Sequence, residues 1–192
     1  MKKVEFGKKA RTKLVEGIDI LADAVVSTLG PNGRNVFIQK GIVEPPQSTK
    51  DGVTVARSIV LKDPELEMGV QAMKYAAIKT ADKAGDGTTT STLLAREMVH
   101  AGLEGLNNGE NAVKIKRDID KSVKQVVSKL KDIAEDISDE SQLTQIATVS
   151  ANNDEEIGSL ISTGIEKVGP KGVVHIETSK TGETYIETVE GM

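Results

Sequence analysis

The sequence predicts a mainly α-helical domain that contains a small β-hairpin and is followed by a shorter α+β segment. Three observations lead to this fold class. Before about residue 134, apolar residues recur every three or four positions over four long stretches, as they do in amphipathic helices. A short β-branched and aromatic run follows the turn Asn32-Gly33. Beyond residue 134 the periodic stretches are shorter and lead into two runs typical of strands.

The first helix is predicted from a stripe of apolar residues, Leu14, Ile18, Leu21, Val25 and Leu29. We expect it to stop at Gly30-Pro31, because glycine accepts a left-handed C-terminal conformation and proline cannot continue the hydrogen-bond ladder. Residues 35–38 then form a short strand. Residues 41–48, which include two adjacent prolines, form a loop.

Three further long helices follow. The second begins at Asp63-Pro64, because aspartate is a favoured N-cap and proline fits the first helical position, and it continues to Ala84. The third begins among residues 88–90 and should break up in the glycine-containing stretch 102–109. The fourth spans about residues 112–133, and its lysine- and aspartate-rich outer face indicates contact with solvent.

The character of the chain changes near residue 134. Two shorter helices are predicted around residues 143–149 and 157–168, followed by strands over 173–178 and 184–189 that a turn at Gly182 connects. The chain ends directly after the last predicted strand. We interpret this ending as an interruption.

Composition argues against several classes of function. Among 192 residues, 28% are charged and 38% are hydrophobic, which is ordinary for a globular protein. A net charge of -4 with few aromatic residues gives nucleic acid neither a basic surface nor a stacking platform. No apolar run approaches the roughly 20 residues of a membrane span, so we expect a cytoplasmic protein without a membrane partner. The absence of cysteine and the isolation of His100 and His175 argue against a zinc site.

Three polar turns that contain glycine stand at the ends of predicted long helices, at residues 28–33, 50–52 and 85–90. Neither the G-x-x-x-x-G-K-[ST] pattern nor the G-x-G-x-x-G pattern occurs, so a phosphate site here must be of another kind. No Ser-His-Asp constellation is visible either. The composition of the three turns suits one shared site.

The turn at residues 85–90, Gly-Asp-Gly-Thr-Thr-Thr, is the most informative of the three. Free N–H groups and the helix dipole at the start of a helix attract phosphate, and the threonine hydroxyls add donors. Asp86 would repel a bare phosphate but would hold Mg²⁺, so the turn favours a metal-bound nucleotide. The alternative is that Asp86 or Thr88 only caps the helix, and that Lys50 and Asp51 belong to an ordinary turn.

These motifs, taken in order along the chain, resemble one protein family. The stretches are Ala22-Asp23-Ala24-Val25, Thr28-Leu29-Gly30-Pro31, Gly33-Arg34-Asn35-Val36, Thr49-Lys50-Asp51-Gly52-Val53, Ala84-Gly85-Asp86-Gly87-Thr88-Thr89-Thr90, Ser150-Ala151-Asn152 and Val189-Glu190-Gly191-Met192. The chain resembles the N-terminal part of a group I chaperonin subunit, the GroEL family. The resemblance covers essentially the whole chain, and the loop at 41–48 is one residue longer than the common pattern.

The resemblance implies a domain organisation and a function. Residues 1–133 would be the first part of an equatorial ATP-binding domain, 134–189 the ascending part of an intermediate hinge domain, and 190–192 the start of an apical domain. The complete subunit would be an ATPase that assists protein folding in a homo-oligomeric ring, with unfolded polypeptides and a co-chaperonin as partners. The apical domain and the second catalytic aspartate of the family lie beyond residue 192, so the activity of this chain alone is a separate question.

The resemblance also assigns roles to single residues, with ATP, Mg²⁺ and K⁺ as cofactors. The loop along the nucleotide phosphates would be Thr28, Leu29, Gly30 and Pro31, with Lys50 from the neighbouring turn. Asp86 would bind Mg²⁺, and the phosphate cradle would be Gly87, Thr88, Thr89 and Thr90. Asp51 would help to position the attacking water, and the backbone carbonyls of Thr28 and Lys50 would bind K⁺.

Two other hypotheses belong to different classes. One is a truncated or split chaperonin-like structural module that assembles with a partner and does not hydrolyse ATP alone. The other is an unrelated helical phosphotransferase that uses Asp86 as a metal ligand.

Overall fold

The computed structural model describes residues 4–169 and 172–189. Its elements are, in order, α1 (Gly7–Val26), β1 (Val36–Ile38), β2 (Gln47–Thr49), α2 (Gly52–Ser58), α3 (Pro64–Ala84), α4 (Thr88–Asn107), α5 (Ala112–Ile133), α6 (Glu140–Ser150) and α7 (Glu155–Val168). The fold is therefore mainly α with a small antiparallel sheet, as the sequence predicts.

The chain divides into two compact units between Ser128 and Lys129, inside α5. The predicted domain boundary after residue 133 lies a few residues further along, and the assignment of the units to equatorial and intermediate domains stays a prediction. The predicted start of an apical domain, residues 190–192, lies outside the described residues.

The core of the first unit forms where α1, α2 and α3 meet. Its buried members are Ile18, Leu21, Val25, Val55, Ala56, Val70, Met73 and Ala77. The stripe predicted on α1 is confirmed in its middle, but Leu29 is 40% exposed because the helix ends at Val26, before that residue.

Glycine brings the backbones of α1 and α3 into contact. A Cβ atom on Gly17 would lie 2.0 Å from the carbonyl oxygen of Leu66, and one on Gly69 would lie 2.0 Å from the carbonyl oxygen of Leu14. Any larger residue at either position would push the two helices apart. The close approach positions the end of α1 relative to α3.

The bounds predicted for α3 are confirmed. Asp63 is the N-cap, and its carboxylate accepts a hydrogen bond of 2.8 Å from the backbone N–H of Glu65, which lowers the pKa of Asp63. Lys13 of α1 lies 3.4 Å from the same carboxylate. At the other end, Gly85 takes a left-handed conformation with φ 73° and stops the helix immediately before Asp86.

The hairpin differs slightly from its prediction. β1 pairs with β2 antiparallel, with Val36 opposite Thr49 and Ile38 opposite Gln47. Residues 47 and 48, predicted as loop, therefore belong to a strand. The two prolines end just before β2, where a missing N–H disturbs no ladder hydrogen bond.

The predicted break of the third helix at residues 102–109 is wrong, because α4 continues to Asn107. Its glycines face the start of α5: a Cβ on Gly105 would lie 3.0 Å from Cδ1 of Ile115, and one on Gly102 would lie 3.7 Å from Cγ2 of the same residue. Close packing against α5 therefore explains the glycine at position 105 better than a helix break does, whereas a Cβ on Gly102 would make ordinary contacts.

The second unit is built on a hairpin of α6 and α7, which confirms both predicted helices. Aspartate caps each of them, since Asp139 accepts from the N–H of Gln142 and Asp154 accepts from the N–H of Ile157. The helices touch through small residues, and the hydroxyl of Thr144 donates to that of Ser162 at 3.0 Å.

The strands predicted at 173–178 and 184–189 are not formed: residues 172–189 contain neither helix nor strand. Their β-branched and aromatic residues are largely exposed, including Val173 at 75% and Ile176 at 81%. Two strands alone make at best a marginally stable hairpin in water, so sequence propensity is not sufficient without a further packing partner.

We predict that Glu166→Gln stabilises the α6–α7 hairpin at neutral pH. Loss of hydration, and then a hydrogen bond and repulsion from the Glu140 carboxyl, raise the pKa of Glu166. A raised carboxyl pKa makes folding most favourable when the group is protonated, and this contribution is lost as pH rises above the ordinary value of 4.5. Denaturant unfolding should therefore give the variant a larger free energy of unfolding than the wild type at pH 7, and an equal one below pH 4.5.

The matched control is Glu156→Gln in the first turn of the same helix. That substitution removes a carboxylate that interacts favourably with the helix dipole, so it should lower the free energy of unfolding at pH 7. Equal effects of the two substitutions would contradict the interpretation.

Candidate functional site

The three predicted turns come together in the first unit. The hydroxyl of Thr28, just after α1, lies 3.2 Å from the hydroxyl of Thr89 in the first turn of α4. Gly52, the first residue of α2, lies against the same group: a Cβ there would be 2.5 Å from Oγ1 of Thr89 and 2.9 Å from Oγ1 of Thr88. The ends of α1, α2 and α4 thus meet at one place, which we call the turn junction.

The turn after α1 is held by its own backbone. The N–H of Gly33 donates to the carbonyl of Gly30 at 2.9 Å, and the N–H of Arg34 donates to the carbonyl of Ser27 at 2.8 Å. A Cβ on Gly33 would lie only 2.1 Å from the carbonyl oxygen of Thr28. Within this turn Thr28 is buried, whereas residues 29–31 are exposed.

The start of α4 is open. Its N-cap is Gly87, with φ 80°, and no side chain among the described residues caps the helix. The first helical hydrogen bond runs from the N–H of Ser91 to the carbonyl of Gly87, so the N–H groups of residues 88–90 have no carbonyl partner within the helix. Three donors therefore lack helical partners at the positive end of the helix dipole, beside the turn junction.

Asp86 does not cap α4. Its carboxylate accepts a hydrogen bond of 2.6 Å from the N–H of Gly87, the residue before the helix. Thr88, the other capping candidate, is the first helical residue, not the N-cap. The side chain of Asp86 is exposed beside the open helix start.

Asp51 does act as an N-cap, of α2, a helix that the sequence reasoning missed. Its carboxylate accepts hydrogen bonds from the N–H of Val53 at 3.2 Å and of Thr54 at 3.0 Å, and also from the Thr54 hydroxyl. The carboxylate is thereby fixed in orientation. The signal in the sequence was the Asp followed three residues later by Thr, but a helix of seven residues is too short for a periodicity argument.

The turn junction carries charge of both signs at its surface, because Lys50, Asp51 and Asp86 are all exposed. Within residues 4–169 and 172–189, no group of three or more acidic or histidine residues could hold a metal ion. In the same described ranges, no helix combines the length and apolar character that a membrane crossing requires.

Comparison with known proteins gives the family. The model of the TCP-1/cpn60 chaperonin family matches residues 21–192, and the chain belongs to this family. The chain is similar to the chaperonin gp146 from the bacteriophage EL 2 (Pseudomonas aeruginosa), whose crystal structure is known in two crystal forms in the presence of ATP-BeFx. Its sequence is 35% identical to this chain, the TM-score is 0.69 for both forms, and the matches cover 81% and 82% of this chain.

A group III chaperonin in the open state matches 85% of this chain with a TM-score of 0.70 at 20% identity, which shows the shared fold alone. The chain spans only 27% and 28% of the gp146 chain and 32% of the group III chain. The narrower resemblance to group I chaperonins stays a prediction.

We predict that Gly52→Ala disturbs the turn junction. The new Cβ would overlap the hydroxyls of Thr88 and Thr89, and Thr88 is buried and cannot turn away freely. Overpacking of this kind costs about 1–3 kcal/mol, measurable by denaturant unfolding. Gly102→Ala in α4 is the control, because its Cβ would meet ordinary contacts and alanine favours a helix by about 0.5–1 kcal/mol. A Gly52→Ala variant as stable as the wild type would contradict the contact.

Proposed function

We propose that the turn junction binds Mg-ATP and that the chain is the nucleotide-binding part of an ATP-dependent chaperonin subunit. The observation that supports this most directly is the open start of α4 at the point where three helix ends meet. Membership of the chaperonin family makes a nucleotide the natural occupant of such a site.

The residues present fit a metal-bound triphosphate. Phosphate oxygens would accept from the unpaired N–H groups of residues 88–90, as phosphates do at other helix starts. Mg²⁺ is typically held by one or two carboxylates together with phosphate oxygens and water, and the exposed Asp86 supplies such a carboxylate beside these donors. Thr28, Leu29, Gly30 and Pro31 would run along the phosphates, with the cation of Lys50 nearby.

A potassium ion would take the backbone carbonyls of Thr28 and Lys50. Gly33 supports this assignment, because a side chain there would cover the carbonyl oxygen of Thr28. Glycine leaves space beside that oxygen.

Asp51 would act on the water that attacks the terminal phosphate. Its three hydrogen bonds with α2 hold the carboxylate in one orientation, and a fixed acceptor can align a water for in-line attack. Mg²⁺, when bound, neutralises charge on the phosphates. The hydrolysis would require the complete subunit, in which unfolded polypeptides, a co-chaperonin and a cytoplasmic homo-oligomeric ring are the expected partners and setting.

A second candidate is a structural module that assembles with a partner and hydrolyses nothing alone. The observation in its favour is that the carboxylate of Asp51 already has a structural role as the N-cap of α2. Phosphate release from Mg-ATP, measured for this chain alone and for the complete subunit, separates the two. Phosphate release by the complete subunit alone supports the ATPase. If neither protein releases phosphate, the structural module is supported.

We predict that Asp86→Ala lowers the affinity for Mg-ATP by about tenfold or more, the usual effect of losing a charged ligand. In EDTA the same variant should bind ATP at least as tightly as the wild type, since a carboxylate repels bare phosphate. Calorimetric titration measures both affinities. Asp82→Ala, also exposed and four residues earlier, is the control and should change neither. An unchanged magnesium dependence in Asp86→Ala would remove the metal from the proposal.

We predict that Asp51→Asn lowers kcat for ATP hydrolysis by the complete subunit by about 10²–10⁴-fold. Nucleotide affinity should change little, and thermal stability should fall only modestly, because asparagine is also a favoured N-cap but accepts through one side-chain oxygen, whereas Asp51 uses both. Asp63→Asn makes the same change at the N-cap of α3 and should leave kcat unaltered. Equal rates in Asp51→Asn and Asp63→Asn would exclude Asp51 from the chemistry.

A further inference from the structure

Three polar contacts join α1 and the turn that follows it to α4. Asp19 lies 2.7 Å from Nε2 of His100, and Asp23 lies 2.8 Å from Nη1 of Arg96. The third contact is the pair of hydroxyls at the turn junction, 3.2 Å apart. The three contacts follow one another toward the start of α4.

The spacing of the Asp19–His100 contact and the Asp23–Arg96 ion pair defines a register. Asp19 and Asp23 are one helical turn apart on α1, and Arg96 and His100 are one turn apart on α4, in the opposite chain direction. Both pairs therefore specify the same antiparallel alignment. Continuing in that alignment leads to the contact between Thr28 and Thr89.

Apolar packing gives α4 little to fix this register. The buried residues of α4 are Thr88 and Thr92, and its contributions to the core are the partly buried Ala95 and Val99. Small side chains make shallow ridges, so a shift along the helix axis meets little steric resistance. A shift of one turn, about 5.4 Å, would separate the hydroxyls of Thr28 and Thr89.

Arg96 is suited to hold the alignment. Its side chain is only 19% exposed, whereas that of Asp23 is 74% exposed, so the packed guanidinium is the fixed partner. Its Nε also lies 3.1 Å from Glu97 on its own helix. Removing the charge of Asp23 therefore weakens the link to α1, while Glu97 still pairs with the guanidinium.

We propose that Arg96 and His100, through Asp23 and Asp19, are positioning residues that set the axial register of α1 against α4 and so keep the turn junction assembled for nucleotide. The inference rests on the proposed Mg-ATP site. None of these four residues would touch the nucleotide.

The test compares Asp23→Asn, Arg96→Gln, Arg96→Lys and the charge exchange Asp23→Arg with Arg96→Asp. Mg-ATP affinity is measured by calorimetry at low and high salt, and thermal stability is measured without nucleotide. Asp23→Asn and Arg96→Gln should each weaken binding about two- to fivefold at low salt, the range that exposed ion pairs support. Arg96→Lys should lose less affinity for Mg-ATP, and the charge exchange should recover most of the lost affinity. High salt should reduce the differences in affinity between the variants and the wild type.

Lys13→Gln is the matched control. It breaks the ion pair between Lys13 and Asp63, which also links α1 to another helix at its surface. Lys13 lies near the opposite end of α1, about 20 Å from Thr28 along the helix. Its loss should lower thermal stability while leaving the Mg-ATP affinity unchanged.

The outcomes separate the two levels of the proposal. If Asp23→Asn lowers thermal stability as Lys13→Gln does but binds Mg-ATP like the wild type, the ion pair is structural and the positioning role is overturned. A charge exchange that binds no better than Arg96→Gln, while still folded, overturns it as well. If the wild type shows no magnesium-dependent binding, or Asp86→Ala binds as the wild type does, the proposed function itself fails.

Discussion

The contact of the α1 end with the α4 start is the constraint on which the candidate site depends. Thr28 and Thr89 are brought together by two helices that pack antiparallel. Gly52 has no side chain because the hydroxyls of Thr88 and Thr89 occupy its space. Within the described residues, no side chain caps the first turn of α4, which runs from the buried Thr88 to the exposed Thr90. A change at any of these three positions would alter the other two.

The helix starts show how unusual the junction is within the described residues. Aspartate side chains cap four helices, at Asp51, Asp63, Asp139 and Asp154. At α4 the cap is glycine, and the aspartate stands one residue too early to cap. Glycine at this position lowers the free energy of unfolding by only a few tenths of a kcal/mol relative to a good cap. An open anion site therefore destabilises the protein only slightly. Local rules of helix capping are broken where we place the function, as is common at binding sites. α1 also lacks a side-chain cap, at Phe6, but it begins at the end remote from the junction.

Strong local signals made much of the fold predictable. The start of α3 followed from Asp63-Pro64, and the long periodic stripe defined α5. The failures have tertiary causes: α4 runs through Gly102 and Gly105 because α5 packs there, and residues 172–189 lack a strand partner. At the site, composition alone suggested that three turns share a place, and the structure brings them together. The roles in metal and nucleotide binding came from resemblance, because no spacing in a sequence specifies which backbone donors a fold leaves unpaired.

The central claim is that one ligand occupies all three turns, and amide chemical shifts test it most directly. In a titration of ¹⁵N-labelled protein with Mg²⁺ and a non-hydrolysable ATP analogue, the amides of residues 28–31, 50–52 and 86–90 should move together and fit one dissociation constant. Shifts confined to a single turn, or located away from all three, would contradict the account.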